Sequence, residues 1–408
     1  MSIFSGKHIL LGVTGSIAAY KAADLASKLT QAGARVDVIL TAAAEKFVTP
    51  LTFQSVTGHR AFTDSDLWGG EAHVLHVGLA HPSTGPGPDA LVIAPCTANT
   101  LAKLAHGLAD NLLSITALAA RCPLLLAPAM DGGMYDAPAT QANLATLTER
   151  GAVIVGPAQG HLASGLSGVG RMLETAELLG HIRLILGRRG RLAGKKVVVS
   201  AGGTQEPLDP VRVLTNRSSG KQGYALAQAA LDAGADVTLV TAPAALTPPV
   251  GARVVHAETA KQMLEAVLAA SAKADALIMA AAVADFRPKR AAGNKMKKRD
   301  GIPQIPLEAT DDILEAVARA KSGKKRPRVV VGFAAESRDL LRNASEKLKS
   351  KKLDFIAAND ISASDAGFGA ETNRVTLLFA DGKKESLPLM SKAEVAEAVI
   401  ARIAALLE

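Results

Sequence analysis

The chain has 408 residues, 48% of them hydrophobic, and a formal net charge of +8. That length gives two or three domains, each with room for its own core. Only Cys96 and Cys122 are present, which excludes a disulfide framework or CxxC zinc site and fits a reducing cytosol.

The positive excess is local, since seven cations and no acid lie between Arg287 and Arg299. Aromatics make up 3% of the chain, leaving few platforms for stacking bases, so nucleic-acid binding is disfavoured. No apolar run reaches the roughly 18 residues of a membrane span. Ile9–Val13 is too short for a signal segment and reads as a first strand. A cytoplasmic protein is expected.

From the N-terminus, strands and helices alternate. His8–Val13 is a buried-type strand, and Gly15-Ser16 opens a helix to about Ala32. Arg35–Leu40 is a second strand, followed by Thr41 and a helix start at Ala42–Phe47. Asp89–Ala94 leads through Pro95 to Thr97-Ala98-Asn99 and a further helix, and Pro123–Ala127 ends at Pro128-Ala129-Met130-Asp131. This alternation predicts an α/β fold with a doubly wound parallel sheet. The loops at Gly15-Ser16, Thr41 and Thr97–Asn99 then open on one sheet edge, where small polar residues suit a phosphate-bearing cofactor. Plain helix caps are the alternative reading of the same residues.

The basic, glycine-rich GRRGRLAG at Gly187–Gly194 marks a boundary, giving domains 1–189 and 190–408. Beyond it, VVVSAGGTQEPLDPVRVLTNRSSGKQGY (Val197–Tyr224) starts as an apolar strand, breaks at Gly202-Gly203 and runs through Asn216 and Ser218-Ser219-Gly220 into a helix. Glycines and a helix N-terminus after a strand make an anion-binding loop. In the alternative, Ser218 and Ser219 only cap the helix. The helix runs from about Gly223 to Ala233, then a strand from Asp236 to Val240. Ala276–Ala280 is a buried strand leading to Asp285 and the basic loop Lys295-Met296-Lys297-Lys298, which is either solvated surface or a flap over a triphosphate. Arg328–Gly332 ends at Phe333, and Lys347 and Lys351 lie four apart on one helix face. Arg374–Phe379 and Lys384–Leu389 form a terminal hairpin before a Ser391–Leu407 helix.

The spacing AGxTxEPxDxVRxxxNxSSGxxG is met at every fixed position from Ala201 to Gly223. It resembles the ligase half of the bifunctional phosphopantothenoylcysteine decarboxylase/phosphopantothenate–cysteine ligase family. TGSIAAYK, APCTANTLAKLAHGLADNLL and APAMDGGMYDAPATQANL resemble the flavin-dependent cysteine decarboxylases that form its other half. The resemblance implies two Rossmann-like domains and FMN, held near Gly15, Ser16 and Thr41 with further contacts from Thr97 and Asn99. It places the flavin at a subunit interface, hence a homo-oligomer of flavodomain trimers and ligase-domain dimers. It assigns His76 to catalysis in preference to His73 or His81. In the ligase half it implies 4′-phosphopantothenate, cysteine and CTP as substrates, with Mg²⁺. Asn216 would act at the acyl-cytidylate and Lys295 at the triphosphate. Asp285, Phe333, Lys347 and Lys351 would bind CTP. Ala357-Ala358-Asn359-Asp360 and Gly367-Phe368 match without an assigned role.

Two departures stand out. The family's PAMN is Pro128-Ala129-Met130-Asp131, and its LACG is Leu162-Ala163-Ser164-Gly165. An ionised Asp only accepts hydrogen bonds, where Asn also donates. A serine hydroxyl is far less acidic than a thiol, and losing a general acid costs about 10²–10⁴-fold. Asp131 and Ser164 are therefore the catalytic positions to watch. A ligase carrying an impaired flavin-binding assembly domain is the alternative function.

Overall fold

A computed structural model describes residues 2–68, 74–81, 86–298, 301–319, 326–336, 339–360 and 370–408. His73, Arg299 and Gly367-Phe368 lie outside the described residues. The chain divides into two units, Met1–Leu186 and Gly187–Glu408.

In the first unit, β1 (His8–Val13), β2 (Arg35–Leu40), β3 (Ala61–Phe62), β4 (Ala90–Cys96), β5 (Leu124–Pro128) and β6 (Val153–Ile154) pair in parallel. Their order is β3-β2-β1-β4-β5-β6. The strands are nearly continuous apolar runs because both faces are covered. Ile9, Leu11 and Val13 enter one core layer, and Leu10 enters the other with Ile93 and Leu126. Each such fully buried side chain contributes roughly 1.5–3 kcal/mol. The connecting helices are α1 (Ala19–Gln31), α2 (Pro50–Thr57), α3 (Leu75–Ala80), α4 (Ala98–His106), α5 (Leu112–Ala119), α6 (Gly132–Asp136), α7 (Pro138–Glu149) and α8 (Thr175–Gly187). An antiparallel hairpin, β7 (Ala158–His161) and β8 (Ser167–Arg171), stands apart from the sheet. The strand order reverses between β1 and β4, so the loops after these strands open side by side, as at a ligand-binding switch point.

The second unit contains β9 (Lys196–Ala201), β10 (Gln205–Pro207), β11 (Val213–Thr215), β12 (Asp236–Thr241), β13 (Arg253–His256) and β14 (Ala276–Met279). After these come β15 (Phe286–Pro288), β16 (Leu307–Ala309), β17 (Val329–Glu336), β18 (Phe355–Asp360), β19 (Thr372–Asn373), β20 (Val375–Phe379), β21 (Lys384–Ser386) and β22 (Met390–Ser391). The main sheet runs β13-β12-β9-β14-β17-β18-β20-β21. It is parallel as far as β18, and β20 and β21 add the expected terminal hairpin antiparallel to it. The helices are α9 (Lys221–Asp232), α10 (Ala260–Ser271), α11 (Ile313–Arg319), α12 (Leu340–Ser350) and α13 (Lys392–Leu407). Ser391 and Glu394 form a capping box that starts α13. Here the switch point falls between β9 and β14.

Local differences from the sequence reading have simple causes. The segment after Thr41 closes only one 3₁₀ turn, Ala44–Lys46, before Pro50 starts a new helix. Helix α9 starts at Lys221, two residues before Gly223, because Gly220 takes the left-handed conformation at φ +76°. The N-cap residue Gly220 has no side chain to offer, but the Gly220 N–H donates to Ser218 Oγ at 3.4 Å and the Lys221 N–H to Ser219 Oγ at 3.5 Å, so both serines support the start of α9. Among the described residues, no helix is long and apolar enough to cross a membrane.

Candidate active sites

The first unit has a cleft of about 410 Å³ whose lining includes Gly15, Ser16, Thr97, Asp131 and Ser164. Thr14 ties its two loops together: its hydroxyl donates to the Pro95 carbonyl at 2.8 Å and accepts from the Thr97 N–H at 3.1 Å. Thr97 also caps α4, accepting from the Thr100 N–H. A Cβ on Gly15 would lie 2.5 Å from the Ala43 Cβ. Only glycine lets the loop after β2 close on the loop after β1.

Three expected residues do not line this cleft. Thr41 is buried, and its hydroxyl accepts from the Ala44 N–H at 3.3 Å. It shapes the turn that seats Ala43 against Gly15. Asn99 is exposed on the first turn of α4, and His76 is half-buried on α3. The alternative His81 is engaged elsewhere, its Nε2 2.8 Å from the Ala119 carbonyl oxygen. The cleft instead adds His161, Lys21 and Arg171. Lys21 is buried and donates to Glu174 Oε1 at 2.8 Å. His161 stands in the same GHLASG segment as Ser164, and a titratable residue beside the altered position was the signal available for it.

The two departures from the family motif meet each other. The Ser164 hydroxyl donates to Asp131 Oδ2 at 2.8 Å, and the Gly133 N–H donates to Asp131 Oδ1 at 3.0 Å. The Ser164 hydrogen bond, then that of Gly133, holds the Asp131 carboxyl below its ordinary pKa. Asp131 is therefore an anion at neutral pH. The pairing depends on how the hairpin docks. The Met130 N–H donates to the Gly170 carbonyl at 3.0 Å, and a Cβ on Gly170 would fall 2.2 Å from the Met130 oxygen.

The second unit has a cleft of about 510 Å³, a size that takes a nucleotide-scale ligand. Asn216, Asp285, Phe333 and Lys347 all line it. Ser200 Oγ accepts from the Ala280 and Ala281 N–H groups at 3.1 Å, and Thr204 Oγ1 accepts from the Ala284 N–H at 2.9 Å. These bonds fix the backbone leading to Asp285. Asn216 uses one Nδ2 proton on the Val283 carbonyl at 3.0 Å.

Lys351 does not line the cleft. It is paired with Glu315 at 2.7 Å and Asp312 at 3.0 Å. Burial pulls the Lys351 pKa down, but the two carboxylates outweigh it and hold the group above its ordinary value. It reaches the cleft only through Asp312, which is a lining residue.

Lys295 is exposed and also absent from the lining. Its loop is nonetheless anchored. The buried Asp209 accepts from the Met296 N–H at 3.2 Å and from the Val211 and Arg212 N–H groups at 2.8 Å. Arg212 Nη1 donates to the Met296 carbonyl at 3.1 Å, and the Ala292 N–H donates to the Leu208 carbonyl at 2.9 Å. The acid and the arginine of EPLDPVR thus clasp the basic loop. Burial alone would raise the Asp209 pKa, but these donors and the Arg212 charge hold it below its ordinary value.

Each half matches a known family. The model described as "Flavoprotein" matches residues 4–186, and that described as "DNA/pantothenate metabolism flavoprotein C-terminal domain" matches residues 192–407. The chain is 44% identical over 407 residues to the coenzyme A biosynthesis bifunctional protein CoaBC of Bacillus subtilis (strain 168), covering 99% of this chain and 98% of that relative. The chain belongs to the bifunctional coenzyme A biosynthesis family. The protein of the same name from Vibrio vulnificus (strain CMCP6) is 42% identical over 410 residues, covering 100% of both chains. A solved C-terminal domain of a coenzyme A biosynthesis bifunctional protein CoaBC is 39% identical, covering 53% of this chain and 98% of its own, with a TM-score of 0.46.

Proposed function

We infer that the protein is a bifunctional enzyme of coenzyme A biosynthesis. Its second unit joins cysteine to 4′-phosphopantothenate using CTP, and its first decarboxylates phosphopantothenoylcysteine to 4′-phosphopantetheine. Beyond family membership, one observation carries the reading. Asn216, Asp285, Phe333 and Lys347, far apart in sequence, line one cleft at the carboxyl ends of the parallel strands.

In the ligase unit, a carboxylate oxygen of phosphopantothenate attacks the α-phosphorus of CTP. The P–O bond to pyrophosphate breaks, and pyrophosphate leaves with the electron pair. Lys347, and Lys295 on its clasped loop, neutralise charge that shifts along the triphosphate. Asp285 accepts from the cytosine amino group and Phe333 packs on the nucleotide. Mg²⁺ would be supplied bound to CTP, where it would offset the charge of the triphosphate. Asn216 keeps a second amide proton free of Val283 for the acyl oxygen of the cytidylate. The cysteine amine then forms the C–N bond and expels CMP.

The first unit fits FMN. The close approach of Gly15 to Ala43 and the N-terminus of α1 suit a phosphate, with Ser16 and Thr97 as polar contacts and Thr41 as the support behind them. Bound there, FMN supplies two-electron oxidation of the substrate's cysteinyl carbon and returns the electrons after CO₂ loss. Ser164 has a single proton, and Asp131 holds it. It therefore offers the cleft lone pairs rather than an acid. His161 is the imidazole in the lining of the cleft that could hand over a proton. His76 would enter from a neighbouring subunit in a trimer, an assembly favoured by exposed Leu51, Trp68 and Leu118 in this unit.

The test is one incubation of FMN-loaded protein with phosphopantothenate, cysteine, CTP and Mg²⁺, resolved by mass spectrometry. CMP together with 4′-phosphopantetheine is expected. Accumulation of phosphopantothenoylcysteine alone would reduce the protein to its ligase activity, and absence of CMP would sink the ligase assignment.

A further inference from the structure

Three stretches of the second unit, far apart in sequence, are sewn into one closed ring of hydrogen bonds. The first passes through Thr204, the second through Thr215-Asn216 and the third through Val283-Ala284. Thr204 Oγ1 accepts from the Ala284 N–H at 2.9 Å. The Val283 carbonyl accepts from Asn216 Nδ2 at 3.0 Å. The Thr215 hydroxyl donates to the Thr204 carbonyl at 2.7 Å, which closes the ring. Asp285 follows Ala284 directly, so the ring carries both the asparagine and the aspartate that line the cleft.

The ring is held from outside as well. Thr204 is fully buried; its N–H donates to the Ala282 carbonyl at 3.3 Å, and Gly203 pairs with Ala282 as an isolated parallel bridge. A Cβ on Gly203 would fall 2.8 Å from the Asn216 carbonyl oxygen, so glycine lets the Asn216 backbone come in close. Thr215 reaches Thr204 because β10 and β11 pair with Gln205 opposite Thr215. That ribbon is pinned on its other side. The buried Glu206 accepts from the Ala260 N–H at 2.7 Å, and the Gln205 N–H donates to the Glu258 carbonyl at 2.8 Å. Thr310 donates its hydroxyl to the Ala284 carbonyl at 2.6 Å and its N–H to the Asp285 carbonyl at 2.9 Å.

We propose that Thr204 is a positioning residue of the ligase reaction, holding the Asn216 amide and the Asp285 carboxylate at one fixed separation. The inference rests on the ligase reading above, in which Asp285 takes the cytosine amino group and Asn216 the acyl oxygen. In an acyl cytidylate those two groups lie towards opposite ends of one covalent molecule. Binding of the base therefore places the acyl carbon only if the two protein partners are rigid with respect to each other. Thr204 supplies that rigidity, with its hydroxyl on the Asp285 side and its carbonyl on the Asn216 side. It does not line the cleft, so it acts through its neighbours. A shift of about 1 Å in a positioned group can cost about 10²-fold in rate. Loss of the Thr204 hydroxyl is felt at both ends of the intermediate, and loss of the Thr215 hydroxyl at the acyl end alone.

The test uses the full chain and two ratios, neither of which changes when a variant merely folds less well. One is the preference for CTP over UTP, whose base carries a carbonyl oxygen in place of the amino group. It is read from the pyrophosphate burst with phosphopantothenate and no cysteine. The other is the rate of the cysteine step relative to that burst. Thr204→Val keeps the shape and removes the hydroxyl; the CTP preference is expected to fall about tenfold or more and the cysteine step to slow about ten- to a hundredfold. Thr204→Ser keeps the hydroxyl and should match wild type in both ratios. Thr215→Val, at an exposed position, should slow the cysteine step and leave the nucleotide preference unchanged. Wild-type ratios in Thr204→Val, or a Thr204→Ser defect as large as that of Thr204→Val, would overturn the assignment. Should Thr204→Val not fold, Thr215→Val decides, and an unchanged cysteine step there overturns the proposal. If wild type itself gave no pyrophosphate, the ligase reading would fail instead.

Discussion

The Ser164 hydroxyl donates its only proton to Asp131, 2.8 Å away, and both residues line the first cleft. Substituting one residue changes what the other offers to a substrate. The double variant Asp131→Asn/Ser164→Cys restores a thiol acid and an amide donor. Its single-turnover decarboxylation rate should rise about tenfold or more over wild type. Each single change should give less than its share, because touching residues are not additive. Quenched-flow detection of phosphopantetheine measures all four proteins, and additive single effects would contradict the pairing.

His161 is the proposed proton donor. His161→Gln should slow phosphopantetheine formation by about 10²-fold or more, while flavin absorbance and the pyrophosphate burst stay unchanged. Adding Asp131→Asn/Ser164→Cys to that variant should recover much of the loss. A decarboxylation rate equal to wild type would remove His161 from the reaction.

Asp209 clasps the basic loop through Met296. Asp209→Asn should lower the rate of the pyrophosphate burst, because Lys295 is no longer held, with less effect on the cysteine step. It also predicts a pH signature. The folded carboxyl titrates below its ordinary value, so its stabilisation is complete above the unfolded pKa and fades as pH falls through the folded one. The Tm difference between wild type and Asp209→Asn should be constant from pH 7 to about 5 and shrink below about pH 4. A difference that held steady at pH 3 would show that the carboxylate charge is not what stabilises the clasp.

Gly15→Val should abolish FMN retention while leaving the ligase half-reaction intact. The new Cβ would stand 2.5 Å from the Ala43 Cβ, well inside contact distance. Forced overpacking of this kind costs about 1–3 kcal/mol, so the loop shifts before the core unfolds. Flavin absorbance after gel filtration measures it, and a fully yellow variant would place the phosphate elsewhere.

What could be read in the chain and what could not divide along physical lines. Strands such as His8–Val13 and Arg35–Leu40 were legible to the residue because buried parallel strands are mostly apolar runs, here interrupted only by Asp37, which His8 and Arg35 satisfy. The loops carrying Gly15, Thr97, Asn216 and Asp285 followed from the strands they terminate. The partners of long side chains were not legible. Lys347 and Lys351 share a helix face in sequence, yet Lys351 is drawn to Glu315 and Asp312 on another element. Asp131 and Ser164 were separate anomalies until the hairpin brought them together.

The seam between Gly170 and Met130 has a consequence for descent. Bare backbone at residue 170 lets the hairpin lie directly on the loop after β5, so the side chains at 131 and 164 are neighbours whatever their identity. A lineage moving between the family's Asn and Cys and the Asp and Ser of this chain must pass through a mixed pair. Asp facing Cys would hold the thiol proton with a carboxylate and suppress the thiolate, whereas Asn facing Ser leaves both groups neutral and each able to donate. The neutral pair, with no buried or opposed charge to satisfy, is the easier of the two crossings.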